Sequence, residues 1–166
     1  MYHVFLGLGS NVGDRLTFLA RAVEEIGSIA TINSISSIYE TEPVEMQSTE
    51  MFYNMALSVE TTDHPSELLV KLKLIEKKLG RTSSGRLFDR EIDIDILLYR
   101  GWSYEDATVR VPHAELEHRR FVLEPLNEIA PTALHPILGQ TIASLLRQCR
   151  DRSRVMRTLH VLNTSD

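Results

Sequence analysis

The stretch Ile92-Asp93-Ile94-Asp95-Ile96-Leu97-Leu98-Tyr99 alternates apolar and acidic side chains, and a strand is the only regular structure that sorts it cleanly into two faces. The expected core face is Ile92, Ile94, Ile96 and Leu98; the opposite face is Asp93, Asp95, Leu97 and Tyr99. Two carboxylates then share one side of an apolar strand, with Cβ atoms roughly 6–7 Å apart. Like charges placed there repel and lose hydration, so a cation should offset them. Mg²⁺ suits the pair, because it takes one or two carboxylates, keeps several waters and completes its shell with phosphate oxygens. The alternative is an exposed strand end on which both side chains are simply solvated.

A chain of 166 residues is expected to form one domain over 1–166, burying about 70% of its unfolded surface. Hydrophobic content of 43% and charged content of 25% are ordinary for a globular protein, and the longest apolar runs fall far short of the ~20 residues that span a bilayer. The opening Met1-Tyr2-His3-Val4-Phe5-Leu6-Gly7 lacks the basic region and cleavage site of a signal peptide. The single Cys149 cannot form an internal disulfide. A cytoplasmic protein is expected, with no membrane partner and in monomeric form. A net charge of -5 gives no sign of nucleic-acid affinity. Its distribution says more: Arg81, Arg86 and Arg90 lead into the aspartates, and Arg110, His113, Arg119 and Arg120 follow. Cations gathered around two carboxylates in an acidic chain point to a small polyanion bound together with a metal; solvated surface arginines are the other reading.

Tyr2 to Leu8 reads as a first strand, followed by a turn built on Gly7, Gly9, Asn11 and Gly13, then a helix begun at Asp14 with Leu16, Leu19, Val23 and Ile26 at helical spacing. Residues 29–40 read as a β-branched strand, stopped before Pro43, and Phe52 to Thr61 as a third. Asp63 and Pro65 open a second helix with the stripe Leu68, Leu72, Ile75 and Leu79, Glu76 lying beside it, and Gly80 closes it. After the Asp-x-Asp strand come a short strand at Thr108 to Val111, helices at Phe121 to Ile129 and Thr141 to Gln148, and a last strand at Val155 to Leu162. The order βαββαβ with a C-terminal extension predicts an α+β sandwich of the ferredoxin-like kind, with an antiparallel sheet.

Gly7-Leu8-Gly9-Ser10-Asn11-Val12-Gly13, with Glu40 as a ribose acid, also invites a dinucleotide-binding reading and hence an NAD(P)-linked oxidoreductase. Its spacing is G-x-G-x-x-x-G, however, and the second strand is followed by another strand where a crossover helix is required. No P-loop occurs. Phosphates must be held by side chains and metal, and a guanidinium fork pairs bidentately with phosphate. The six histidines show no zinc spacing; His113, after Val111-Pro112, is the one placed to meet phosphate, or else to serve as a hydrogen-bonded structural residue. A non-enzymatic binding module is the third reading.

Gly7-Leu8-Gly9-Ser10-Asn11, Tyr39-Glu40-Thr41-Glu42-Pro43, Phe52-Tyr53-Asn54, Arg90-Glu91-Ile92-Asp93-Ile94-Asp95, Val111-Pro112-His113 and Arg119-Arg120-Phe121 occur in one order. Together, over nearly the whole chain, this set resembles the 6-hydroxymethyl-7,8-dihydropterin pyrophosphokinases of folate biosynthesis. The resemblance implies transfer of diphosphate from ATP, the co-substrate, to the pterin hydroxymethyl group, with two Mg²⁺ ions. By position it makes Asp93 and Asp95 metal ligands and sets Arg90, His113 and Arg119 near the triphosphate. It places Phe52 and Phe121 on either side of the pterin ring, Asn54 at the ring's edge, and Thr41, Pro43 and Val44 in the loop around the heterocycle. Glu76 falls near the nucleotide, and Arg81 and Arg86 in a loop that closes over ATP. The family's frequent Arg-Trp-Gly-Pro-Arg is here Arg86-Leu87-Phe88-Asp89-Arg90, without the tryptophan and the Gly-Pro pair. Transfer of this kind depends on positioning and charge stabilisation, and no side-chain base is evident.

Overall fold

The computed structural model describes residues 1–44, 48–81 and 89–162. In order, they form β1 (Tyr2–Ser10), α1 (Arg15–Gly27), β2 (Thr31–Ile35), β3 (Tyr39–Thr41), β4 (Phe52–Thr61), α2 (Pro65–Lys78) and β5 (Asp93–Tyr99). Then follow β6 (Tyr104–Glu105), β7 (Arg110–Val111), a 3-10 turn at Leu116–His118, α3 (Arg120–Ile129), α4 (Ile142–Gln148) and β8 (Val155–Arg157). The main sheet runs β5-β1-β4-β3-β8, with β2 also paired to β4, and every pairing is antiparallel. The α+β class is as expected. A dinucleotide fold needs parallel strands joined by crossovers, so the antiparallel ladder removes that rival.

Local chemistry sets the element ends. Asp14 caps α1 by accepting the Thr17 N–H at 3.1 Å. Pro65 takes the first position of α2, where its missing N–H costs nothing, and Glu67 reaches back to the His64 N–H. Beyond α2, Gly80 turns the chain at φ +95°, a conformation that only glycine adopts without strain.

Several expected boundaries move. Gly7 and Gly9 lie inside β1, not in a turn after it. The single strand expected over 29–40 is broken into β2 and β3 around Ser36, whose N–H still donates to the Ala56 carbonyl but whose hydroxyl, donating to the Ser37 carbonyl, accepts the Ala56 N–H in place of a backbone oxygen. Only Val155–Arg157 of the expected last strand pairs, against β3, and β7 pairs with the unanticipated β6. In β5 a register shift opposite Phe5 and Leu6 makes Leu97 the extra residue of a bulge. Alternation is thereby reversed: Tyr99 joins Ile92, Ile94 and Ile96 on the core face, whereas Leu98 crosses to the other side with Leu97.

Both faces of the sheet are covered. Val4, Leu6, Leu8, Met55, Leu57 and Val59 pack beneath α1 and α2. Phe5, Ala56, Leu97 and Leu98 pack beneath α3 and α4. The C-terminal extension is thus a third layer, and where it stops short of covering the second face a cleft opens.

Candidate active site

That cleft, about 570 Å³ including the space open to solvent at its mouth, is lined by Gly7, Gly9, Thr41, Val44, Phe52, Asn54, Arg90, Asp93, Asp95, Leu97 and Phe121 among others. Register builds it. Asp93 stands opposite Gly9 and Asp95 opposite Gly7 across β5 and β1, while Gly9 also faces Asn54 across β1 and β4. One transverse row therefore reads carboxylate, glycine, amide, and strand spacing puts its ends roughly 10 Å apart. The glycines form a floor. A Cβ at Gly9 would lie 2.5 Å from Asn54 Oδ1, and one at Gly7 would lie 3.2 Å from Leu97.

The amide is oriented by its neighbour. Asn54 Nδ2 donates to Thr41 Oγ1 at 2.7 Å, with both residues buried, so the oxygen is the end turned over Gly9. Phe52, paired with Thr41 across β4 and β3, and Phe121, in the first turn of α3, bring aromatic rings to the same cavity.

At the acidic end, Arg81 donates to Asp93 Oδ1 at 2.7 Å and Arg90 Nε lies 3.6 Å from Oδ2. Burial alone would raise the Asp93 carboxyl, but Arg90, Lys73 and Arg81 outweigh it and hold the group below the usual carboxylate range. Arg81 shows the converse: burial works to lower its pKa, whereas Asp93, Glu76 and Asp95 raise it. Glu76, 3% exposed, accepts the Ile94 N–H at 2.7 Å and Lys73 Nζ at 2.9 Å, and lies 3.2 Å from Arg81. Since β5 is an edge strand, this carboxylate satisfies a backbone donor that no strand reaches. Arg90 also lies 5.2 Å above the Phe52 ring and is fixed through its backbone. Its N–H donates to Asn11 Oδ1, its carbonyl accepts the Asn11 N–H, and Asn11 Nδ2 donates to Asp89.

Of the other residues singled out by sequence, His113 sits behind the Leu97 bulge, its N–H donating to the Leu97 carbonyl at 2.8 Å. Its Nδ1 accepts the Glu115 N–H, which puts the ring proton on Nε2 in the neutral form. Arg119 pairs with Glu115 at 3.4 Å and borders a neighbouring groove that shares Val44 with the main cleft. Pro43 lies between two lining residues without lining the cavity itself. Arg86 falls outside the described residues. Sequence reasoning passed over Gly7 and Gly9 as floor, Lys73 as a counter-charge and Asn11 as a brace. The G-x-G spacing and the i, i+3 relation of Lys73 to Glu76 were their only local signals.

Two hard carboxylates on one sheet face, each with a glycine as its cross-strand neighbour on β1, fit Mg²⁺. Among the described residues no three His, Cys, Asp or Glu side chains gather into a cage, and a cation that shares its shell with phosphate and water needs none.

A family model for 7,8-dihydro-6-hydroxymethylpterin-pyrophosphokinase (HPPK) matches residues 5–131. The 2-amino-4-hydroxy-6-hydroxymethyldihydropteridine pyrophosphokinase of Aquifex aeolicus is 42% identical over 137 residues, covering 82% of this chain and 86% of the relative. The Bacillus subtilis protein of the same name is 43% identical over 127 residues, covering 75% and 76%. A solved Plasmodium falciparum HPPK-DHPS structure is similar in fold, with a TM-score of 0.76 at 17% identity, over 89% of this chain and 44% of that longer one. The chain belongs to the 7,8-dihydro-6-hydroxymethylpterin-pyrophosphokinase family.

Proposed function

We infer that the chain transfers diphosphate from ATP to the hydroxymethyl oxygen of 6-hydroxymethyl-7,8-dihydropterin and releases AMP, a step of folate biosynthesis. The observation that carries this reading is the transverse row in which Asp93, Gly9 and Asn54 face one cleft. A flat heterocycle fits over the glycine floor between Phe52 and Phe121, its edge N–H groups donating to Asn54 Oδ1, with Thr41, Pro43 and Val44 at its border. Its hydroxymethyl arm then extends toward Asp93 and Asp95.

These two carboxylates would hold two Mg²⁺ ions, which when bound neutralise phosphate charge and make a coordinated hydroxyl easier to deprotonate. Arg90 and Arg81 face the same carboxylates and are suited to take up charge on the triphosphate; His113, through Nε2–H, and Arg119 would meet it from the far side. Arg86 is assigned to the nucleotide by resemblance alone. The hydroxymethyl oxygen gives up its proton to solvent and bonds the β-phosphorus of ATP as the bond from that phosphorus to the α,β-bridging oxygen breaks, so that AMP leaves with the bridging oxygen. Glu76 acts on the nucleotide site by holding β5 and Arg81 in place.

We also propose that the chain acts as a single-domain monomer in the cytoplasm. Its buried Cys149 is unpaired, which suits a reducing compartment, and among the described residues no helix is long and apolar enough to cross a membrane.

AMP release from ATP and Mg²⁺, with and without 6-hydroxymethyl-7,8-dihydropterin, tests the reaction. Asp93→Ala and Asp95→Ala should each reduce turnover by at least about a hundredfold, the scale of lost transition-state charge stabilisation, while the midpoint of unfolding changes far less. Pterin-independent AMP release, or near-normal release by either variant, would falsify the assignment.

A further inference from the structure

Behind the heterocycle end of the cleft lies a polar cluster that touches none of the reacting groups. Glu128, near the end of α3, accepts three hydrogen bonds: from the Ser37 N–H at 3.0 Å and Ser37 hydroxyl at 2.8 Å through Oε1, and from the Tyr39 hydroxyl at 2.6 Å through Oε2. Arg157 of β8 lies 3.6 Å from the same carboxylate. Tyr39 is buried and pairs directly with Asn54 across β3 and β4. The cluster therefore continues, one strand further, the row that carries Gly9 and Asn54.

Phe121 and Glu128 stand seven positions apart, two helical turns, and so share one side of α3 roughly 10 Å apart. Pro125 is inside this helix and has no N–H to give the Phe121 carbonyl, so the turn bearing Phe121 is less firmly braced than a regular one. The apolar contacts of Leu123 and Leu126 hold α3 against its neighbours through a non-directional attraction. Fixed direction comes from the helix ends: the Arg120 N–H donates to Asp151 at 3.0 Å, and Glu128 is held by Ser37 and Tyr39. The Tyr39 hydroxyl is raised well above its ordinary pKa by burial and then by this bond. Glu128, which burial alone would raise, is lowered by its bonds to Tyr39 and Ser37.

We propose that Glu128, clamped by Ser37 and Tyr39, is a positioning residue for heterocycle binding: it fixes the lie of α3 over the sheet and thereby the slot between Phe121 and Phe52. The inference rests on the reading that the pterin stacks in that slot. A merely structural tie between α3 and β3 would change stability without distinguishing the two substrates.

The test is calorimetric titration, at a temperature where every variant is folded, of a non-hydrolysable Mg·ATP analogue and then of the dihydropterin. Removing bonds to a charged acceptor should weaken pterin binding about tenfold in Glu128→Ala and in the double variant Tyr39→Phe/Ser37→Ala, which keeps the carboxylate. Nucleotide affinity should stay within about twofold of wild type, and Glu128→Gln, which can still accept from Ser37 and meet Tyr39, should recover most of the loss. Unchanged pterin affinity in the double variant, or equal weakening of both ligands, overturns the proposal. If the wild-type chain itself fails to bind the dihydropterin, the functional reading falls and this inference with it.

Discussion

A methyl group at position 9 would collide with an amide oxygen that has nowhere to go, because turning Asn54 aside means giving up its bond to Thr41. Overpacking of this kind costs about 1–3 kcal/mol. Gly9→Ala is accordingly expected to weaken dihydropterin binding by about ten- to a hundredfold while nucleotide binding holds; titration of each ligand reads the difference. At this scale the sequence was most informative where chemistry is local. Asp93 and Asp95 face one way because they stand two positions apart in a strand, and they line one cleft with Asn54 and Phe52. It was uninformative for Asn11, whose contacts with Asp89 and Arg90 join residues far apart in the chain, and for Lys73, which reads as any surface lysine until Asp93 stands near it.

Edge strands present unpaired backbone groups, and β5 answers with a side chain from α2. Glu76→Ala would leave the Ile94 N–H without its acceptor, at a cost of about 1–3 kcal/mol and hence a fall in melting midpoint of about 2–4 °C per kcal/mol. Glu76→Gln keeps an acceptor oxygen and should recover most of that loss in a thermal scan; equal destabilisation by both changes would point to the charge instead of the bond. The segment leading to α4 is tied by His135, which is buried and whose Nδ1 accepts the Ile137 and Leu138 N–H groups at 3.3 and 3.1 Å. Burial lowers its pKa below 6.5. The unfolded chain therefore takes up a proton first as pH falls, and the contribution of His135, present above 6.5, is lost as pH drops toward the lowered folded value. Melting midpoints across that window should show wild type losing more than His135→Asn, in which a side-chain oxygen can take over the acceptor role without titrating. Element identity was largely legible, since α1 and α2 carry clean stripes and caps. The bulge at Leu97 was not, because a register shift depends on what the neighbouring strand offers, here Phe5 and Leu6.

Three layers make up the described molecule: one face of the sheet is devoted to packing, while the other packs at one end and opens into the cleft at the other. Leu19 of α1 and Leu126 of α3 are both fully buried, on opposite faces. Truncation to alanine should cost about 2–5 kcal/mol at either position. Only Leu126→Ala loosens the layer that carries Phe121, so chemical denaturation should rank the two together and pterin affinity, measured where both are folded, should separate them. What the sequence determined by itself is what repeats at short range: strand and helix periods, caps, stops, the carboxylate pair and the α+β alternation of strands with two long helices. The tertiary structure alone decided which face each strand turns to the cleft, that two glycines make its floor, and that the C-terminal helices roof the same face. The reason is physical. Periodicity constrains neighbours along the chain, whereas register, bulges and layer choice are settled by contacts between segments that only a completed sheet brings together.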